Sequence, residues 1–490
     1  MLDDVLRAFT RGYYKLPGPI RFAVGSSYRT LPLRLRLGPV YREFEDEIKA
    51  TEYWTATRHR GRQWERIRAT LDVAFGQIPY YRNRFMGNGI ESSDIRSFDD
   101  FQRLPFLTKQ DVKEHLEEMT AKAIPRWKWL ETTTGGSTLN PMRFYQVRGL
   151  TRSKERAFIQ DQWGRFGYKP GARAVQLKGR NVGHPSRRIF WEYEPIQNFL
   201  EMNSQFLTEE NLPSYVEAII RFKPEFLIGY VSSIFLLARY LESHPQCRFP
   251  RLRGLFLASE NVYPWQRTLF SRVFNCPICA HYGHSEMVLL GAECPLSARY
   301  HFYPQYGYLE VIGPDGKPCD RPGQVGELVG TSFDNPLMPF IRYRTQDYGI
   351  VGEPACPCGR HYPVIERIEG RLQEFIVTRS GRLISVCVMG AAHFDVLDNV
   401  HQTQYFQDTP GRVIFRVVPK SGFSLTDLNR IQAVVQAKTG NDVQVEVQVV
   451  KEIPRTESGK HRMIIQKLDI PLFPDTPAGS GPADQGGPAA

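Results

Sequence analysis

The sequence predicts an α/β protein with a large N-terminal domain of mixed sheets and helices and a small α+β domain behind it. Three observations carry this. Short apolar runs at 172–178, 225–230 and 253–259 stand near glycine or proline and alternate with helical patterns at 208–222 and 231–242, the rhythm of a largely buried sheet. Residues 305–331 change style, with YGYLEVI, GPDGKP and VGELVGT reading as strand, turn, strand. Beyond Glu369-Gly370-Arg371 come strand-like 374–378 and 412–418, a helix near 425–438 and strand-like 443–450, enough for a second folding unit.

From the N-terminus, residues 1–50 form a basic arm. Arg7, Arg11, Lys15, Arg21, Arg29, Arg34, Arg36 and Arg42 face only Asp3 and Asp4 within the first 42 positions, in a chain of net charge +11. Leu31, Leu33, Leu35 and Leu37 alternate with Pro32, Arg34 and Arg36, which predicts a short edge strand. The arm is expected to pack on its own domain; contact with an anionic membrane surface is the alternative. Residues 51–369 form the large domain. Its first helix spans about 60–80, where Trp64, Ile67, Leu71 and Phe75 recur at helical steps and Pro79 marks the stop. Residues 370–470 form the small domain, and 471–490, rich in Pro, Gly and Ala, form a disordered tail.

Composition narrows the function. At 490 residues with 41% hydrophobic and 23% charged positions, the chain has material for several domains and is not a disordered one. No run approaches a membrane span, the first residues lack a signal-peptide core, and 8 cysteines build no disulfide framework. A cytoplasmic protein is expected. No zinc-finger, RNP or helix-turn-helix pattern is present, so nucleic acid is not an expected partner.

Four segments carry chemistry. Thr134-Gly135-Gly136-Ser137-Thr138 offers backbone N–H groups and hydroxyls that can close around phosphate oxygens, without the spacing of a Walker A loop. His281-Tyr282-Gly283-His284-Ser285-Glu286 follows an apolar run, at a strand end where open sheets place ligands. There a hydroxyl beside a carboxylate can meet a phosphate and Mg²⁺ together. In Arg342-Tyr343-Arg344-Thr345-Gln346-Asp347, the aspartate is an acceptor suited to two ribose hydroxyls. Arg455-Thr456-Glu457-Ser458-Gly459-Lys460 places a lysine on a small-residue loop, a mobile cation for a charged transition state.

In this order and spacing, the four segments resemble the adenylate-forming ligase superfamily, in its phenylacetate–CoA ligase-like and capsular-polysaccharide (CapK-type) branch. Ile78-Pro79-Tyr80-Tyr81-Arg82, Ala258-Ser259-Glu260-Asn261 and Glu369-Gly370-Arg371 add to the likeness, which spans roughly residues 50–470. It implies an ATP- and acid-binding large domain and a C-terminal lid that rotates between half-reactions. It implies that Thr134 through Thr138 bind phosphate, and that Ser259, Glu260, Tyr282 and Gly283 line the adenine pocket. Ser285 would meet the α-phosphate, Glu286 would hold Mg²⁺, Asp347 would bind ribose, Arg371 would contact ribose or phosphate, and Lys460 would serve adenylation. Leu139 and Gln346 stand where the family commonly has glycine, and a Cβ at Leu139 would crowd a triphosphate.

The implied reaction is ATP-dependent adenylation of a small carboxylic acid with release of pyrophosphate, then transfer to a nucleophile. Coenzyme A, a carrier-protein phosphopantetheine thiol, an amine and a sugar hydroxyl all remain open as acceptors, and the capsule likeness points to surface polysaccharide. An adenylyl transferase that stops at the AMP adduct, and a non-catalytic nucleotide-binding component, are the competing readings. The aromatic segment 188–193 suits an aromatic acid or a core. Cys294, His301, Cys356 and Cys358 would make a closed structural zinc site, which the resemblance supports; buried free thiols with a surface histidine are the alternative. Cys276 and Cys279 read as core.

Overall fold

The computed structural model describes residues 16–134, 142–179, 182–208, 210–371, 375–385, 399–455 and 461–468, with Tyr13 and Leu397. The arm is helical. Helices α1 (Gly18–Thr30) and α2 (Leu33–Thr51) each begin behind a proline, Pro17 and Pro32. The edge strand expected over 31–37 is therefore corrected to a helix. Leu33, Leu37, Val40, Phe44 and Ile48 recur at steps of three and four, and this stripe packs on Phe158, Tyr303 and Tyr306. Leu35, the member of the alternating set that faces away, is 60% exposed. Gly38, at φ 80°, and Pro39 kink α2. The arm is tied down by Arg29, which donates to the Tyr193 hydroxyl and the Pro195 carbonyl, both at 2.9 Å.

Helix α3 (Ala56–Gln77) buries Ile67 and Leu71, with Trp64 and Phe75 packed against the same core. Pro79 ends that run by opening α4 (Pro79–Gly87), where its missing N–H costs nothing. Two short helices, α5 (Phe98–Phe101) and α6 (Lys109–Glu114), lead into the hairpin β1 (Trp129–Thr133) and β2 (Arg143–Val147).

After α7 (Thr151–Gly164) the chain lays down β3 (Ala174–Lys178), β4 (Trp191–Glu194), β5 (Phe199–Asn203), α8 (Leu212–Phe222), β6 (Phe226–Tyr230), α9 (Val231–Ser243), β7 (Gly254–Ala258), α10 (Pro264–Phe274) and β8 (Ile278–Gly283). Strands β5, β3, β6, β7 and β8 lie parallel in that order. Antiparallel strands extend the sheet: β9 (Leu290–Glu293), β10 (Tyr300–Phe302), β11 (Gly307–Ile312), β12 (Val325–Ser332), β13 (Tyr343–Val351) and β14 (Val364–Arg371). The full order is β11-β12-β13-β14-β10-β9-β8-β7-β6-β3-β5-β4. Within the segment 188–193 only Phe190 is core: it is buried and stacks on Tyr215, with ring centroids 5.4 Å apart, whereas Arg188 and Ile189 are exposed. Cys279 is buried in the sheet's core and Cys276 packs against it.

Arg342 locks the front of the sheet. Its guanidinium pairs with Glu310 of β11 at 3.0 Å and donates to the Gln102 and Leu104 carbonyls, all within the interior. Removing one partner of such a pair costs about 3–5 kcal/mol, because the other charge stays buried.

The large sheet ends at Arg371. Next come a pair, β15 (Phe375–Val377) and β16 (Leu383–Ser385), and a four-stranded sheet of β17 (Val400–Thr409), β18 (Arg412–Pro419), β19 (Gln444–Val449) and β20 (Ile464–Gln466), ordered β19-β18-β17-β20. Helix α11 (Leu425–Thr439), capped by Ser424 and Asp427, crosses from β18 to β19 and buries Ile431 and Val435 on this sheet. Tyr263 and Trp265, at the head of α10, join the small lobe's core and so seat it against the large one.

Candidate active site

The C-terminal end of β8 carries Tyr282 and Gly283, and the chain then turns through His284, Ser285 and Glu286. Strand β13 brings Tyr343 and Asp347 to the same place. The Tyr282 hydroxyl donates to Asp347 Oδ2 at 2.9 Å, and the Tyr343 hydroxyl donates to Glu286 Oε1 at 2.8 Å. Each segment thus supplies one tyrosine and one carboxylate to the other. From the hairpin, Gln146 Nε2 donates to the Ser285 carbonyl at 2.9 Å, fixing the turn from a third side.

Glu286 is deeply enclosed. Burial works to raise its pKa, but the His284 imidazole, 3.5 Å away, and the Tyr343 hydrogen bond outweigh it and bring the carboxyl down to about 2. The group is an anion at every physiological pH, and oxygen donors of this kind suit a hard divalent cation.

A cavity of about 830 Å³ opens here between the lobes. Thr134, Ser259, Glu260, Tyr282, Gly283, Ser285, Glu286 and Asp347 all line it. Thr134 is held where β1 meets β2, its N–H donating to the Met142 carbonyl and its Oγ1 accepting from the Met142 N–H, both at 2.9 Å. Gly135, Gly136, Ser137, Thr138, Leu139 and Lys460 lie outside the described residues. The Arg371 backbone stands opposite Asp347 in the β13–β14 register.

Left-handed backbone gathers at these segments. Ser259, Met287, Arg342 and Gln346 have φ of 65°, 54°, 49° and 63°. Each costs about 1 kcal/mol for a residue with a side chain. At Gln346 this explains the family's glycine: the conformation persists here with glutamine, whose N–H is held by Glu327 Oε1 at 3.0 Å.

The lobes also meet at the head of α9. Glu260 accepts hydrogen bonds from the Ser232 N–H (2.6 Å) and hydroxyl (3.0 Å), and Ser232 Oγ accepts from the His461 N–H at 3.4 Å. His461 Nε2 lies 2.8 Å from the Thr403 carbonyl, and Arg455 donates to the Leu207 carbonyl at 3.4 Å. Arg455 and His461 are thereby both held on the large lobe. Sequence reasoning missed Ser232, Gln146 and His461 and gave Tyr343 no role. The position of His461 directly after Lys460 was the available signal.

Behind β9 and β10, Cys294, His301, Cys356 and Cys358 bring their ligand atoms within 4.8 Å of one another. Cys294 and Cys356 sulfurs are 3.7 Å apart, and Cys358 Sγ is 3.9 Å from His301 Nδ1. Thiolates on a zinc tetrahedron with bonds of ~2.3 Å stand about 3.8 Å apart, so the set fits this ion. Burial, with Arg165, Arg360 and Arg299 adding to it, pushes His301 down to about 4, which leaves a neutral imidazole.

Comparison with known proteins fits this geometry. Residues 376–467, the small lobe, match the family model described as the CapK C-terminal domain. Protein CapK of Staphylococcus aureus is 25% identical over 395 residues, covering 79% of this chain and 83% of that protein. Phenylacetate-coenzyme A ligase of Thermus thermophilus is 23% identical over 438 residues, covering 83% and 96%.

The small lobe matches the CapK C-terminal domain, and the chain as a whole is similar to CapK and to phenylacetate-coenzyme A ligases.

The fold agrees. The crystal structure of 2-hydroxyisobutyryl-CoA ligase in its postadenylation state, with R3-HIB-AMP, superposes with a TM-score of 0.67 at 20% identity, over 85% of this chain and 91% of that one.

The lowered Glu286 pKa sets a sign. A carboxyl whose folded pKa is about 2 against an ordinary 4.5 contributes stability that is fully present above about 4.5 and lost as pH falls towards 2. In metal-free buffer, the stability gap between wild type and Glu286→Gln is therefore level from neutral pH down to about 4.5 and changes only below it. Urea midpoints across a pH series check this; a gap that drifts between neutrality and pH 4.5 contradicts it.

Proposed function

We propose that the interlobe cavity activates a small carboxylic acid by joining it to AMP and then passes the acyl group to a thiol, that of coenzyme A or a carrier-protein phosphopantetheine. The carboxylate oxygen attacks the α-phosphorus of ATP and the bond to pyrophosphate breaks. The thiolate then attacks the acyl carbonyl and AMP departs. The observation that carries this reading is the single cavity lined by Thr134, Ser285, Glu286 and Asp347, which come from three separate segments of the chain.

In this reading Asp347, oriented by Tyr282, accepts from the ribose hydroxyls, while Ser259, Glu260 and Gly283 flank the adenine. Thr134 and its glycine-rich continuation through Gly135, Gly136, Ser137 and Thr138 donate to phosphate oxygens. Ser285 donates to the α-phosphate. Glu286, kept ionised beside Tyr343 and His284, would hold Mg²⁺, which supplies neutralisation of the phosphate charge. Lys460 adds a cation at the α-phosphate, and Arg371 meets the ribose or phosphate beside the boundary between the lobes. Catalysis by such a constellation is positioning and charge stabilisation rather than covalent chemistry on the protein.

A place in surface-polysaccharide assembly and action in the cytoplasm are part of the same proposal. Among the described residues no helix is long and apolar enough to cross a membrane. The domain limits at 50, 369 and 470 remain part of the proposal, supported by the end of the large sheet at Arg371. Separately, Cys294, His301, Cys356 and Cys358 would hold a structural Zn²⁺, cross-linking the β9–β10 turn to the loop before β14.

Two outcomes check these assignments. ATP–pyrophosphate exchange depends on an added carboxylic acid and falls at least ~100-fold in Lys460→Ala, the scale of losing one preorganised charge at a transition state. Acid-independent exchange, or a variant as active as wild type, contradicts the adenylation role. Elemental analysis of chelator-free protein finds zinc near one per chain, lost in the Cys356→Ser, Cys358→Ser double variant; its absence from intact wild type refutes the metal site.

A further inference from the structure

The register of the parallel sheet separates an apolar layer from a polar one. Side chains of residues paired in register share a face. Phe199, Ala174, Phe226, Phe256 and Cys279 occupy one face and pack beneath Trp163 of α7. Further along the same face, past Gln176, Glu201 and Ile228, the C-terminal rim carries Asn203 paired with Lys178, and Tyr230 paired with Ala258, which pairs in turn with His281. The layer thus changes from aromatic to polar where the strands end.

Helix α7 covers this rim and contributes Glu155. Its carboxylate accepts the Tyr306 hydroxyl at 2.5 Å, and it lines the interlobe cavity together with His281 and His284. Burial raises the Glu155 pKa, and the Tyr306 hydrogen bond, Lys154, His284 and Lys178 oppose it in that order. Burial also pushes the His281 imidazole down to about 3, with Lys178 adding to the effect. Tyr282, by contrast, points to the opposite face of β8, where it meets Asp347, so the rim group lies away from the proposed nucleotide contacts. Cavity-lining Phe235 sits at the lobe junction, edge-on to Trp265, and the aromatic residues Phe190 and Trp191 do not line the cavity.

We infer that the acid end of the cavity is this polar rim, and that the acid activated is a hydroxy acid whose hydroxyl donates to Glu155. The inference rests on the adenylation reading and names its substrate class. An unsubstituted aryl or alkyl acid would bury the Glu155 carboxylate with one acceptor unanswered, whereas a hydroxyl answers it. An ammonium group is disfavoured because the Lys178 charge already acts on both Glu155 and His281. A site built to bond a hydroxyl discriminates strongly against the analogue that lacks it.

The test uses the full chain with Mg²⁺ and ATP, and matched acids differing by one hydroxyl, in aliphatic, aromatic and sugar-acid series. The hydroxylated member gives at least ~10-fold higher kcat/KM for pyrophosphate exchange in the series that fits. Glu155→Leu abolishes that preference through KM for the hydroxy acid, keeps or raises exchange with the partner that lacks the hydroxyl, and leaves ATP affinity by equilibrium dialysis unchanged. Glu155→Gln, of nearly the same shape, retains part of the preference and guards against a folding defect. Equal or better exchange with the acids that lack the hydroxyl overturns the inference. So does a Glu155→Leu variant that loses both partners alike, or exchange with no member of any series although ATP binds. Failure of the wild type to bind ATP would bring down the adenylation reading itself.

Discussion

The centre of this protein is held by two hydrogen bonds that cross each other. Tyr282 reaches from β8 to Asp347, and Tyr343 reaches back from β13 to Glu286. In the sheet order, β14, β10 and β9 stand between these strands. The sheet must curve over itself for the bonds to form, and once formed they fix both carboxylates at one spot. Hydrogen bonds to charged groups are worth about 1.5–3 kcal/mol each, enough to offset the left-handed backbone at Met287 and Gln346 beside them. The strain is local to the residues that must turn sharply so that both acids face one cavity.

Around that centre, the parts divide by chemistry. The β8 turn and β13 present anions and hydroxyls on one side of the sheet. The rim under α7 offers Glu155, Lys178 and His281 on the other. The small lobe closes the cavity through contacts of two kinds. Tyr263 and Trp265 join its apolar core, whereas Ser232 and Glu260 meet His461 through polar bonds.

Much of this was legible in the sequence because motif and strand end coincide: the apolar runs before Ser259 and His281 are β7 and β8, and the family and fold class read from the motifs hold. The failures have separate causes. The leucines at 31–37 satisfy both a period of two and a period of four, and the second wins because Phe44 and Ile48 extend it and Phe158 awaits it. Strand β17 went unseen because it is rich in glutamine; Gln407 is buried and answered by the Val377 backbone, so its polarity conceals its burial. Tyr343, Gln146 and Glu155 carry no spacing signal at all, since their roles arise only when distant strands are brought together. The Arg342–Glu310 pair is hidden for the same reason.

The central claim is that the crossed tyrosine–carboxylate pairs build a nucleotide site, and ATP affinity tests it most directly. Calorimetric titration of the full chain with ATP and Mg²⁺ should give saturable one-site binding, weakened about 10-fold or more in Asp347→Asn, the loss expected when a charged hydrogen-bond acceptor is removed. No saturable binding by the wild type, or equal affinity in the variant, would contradict it.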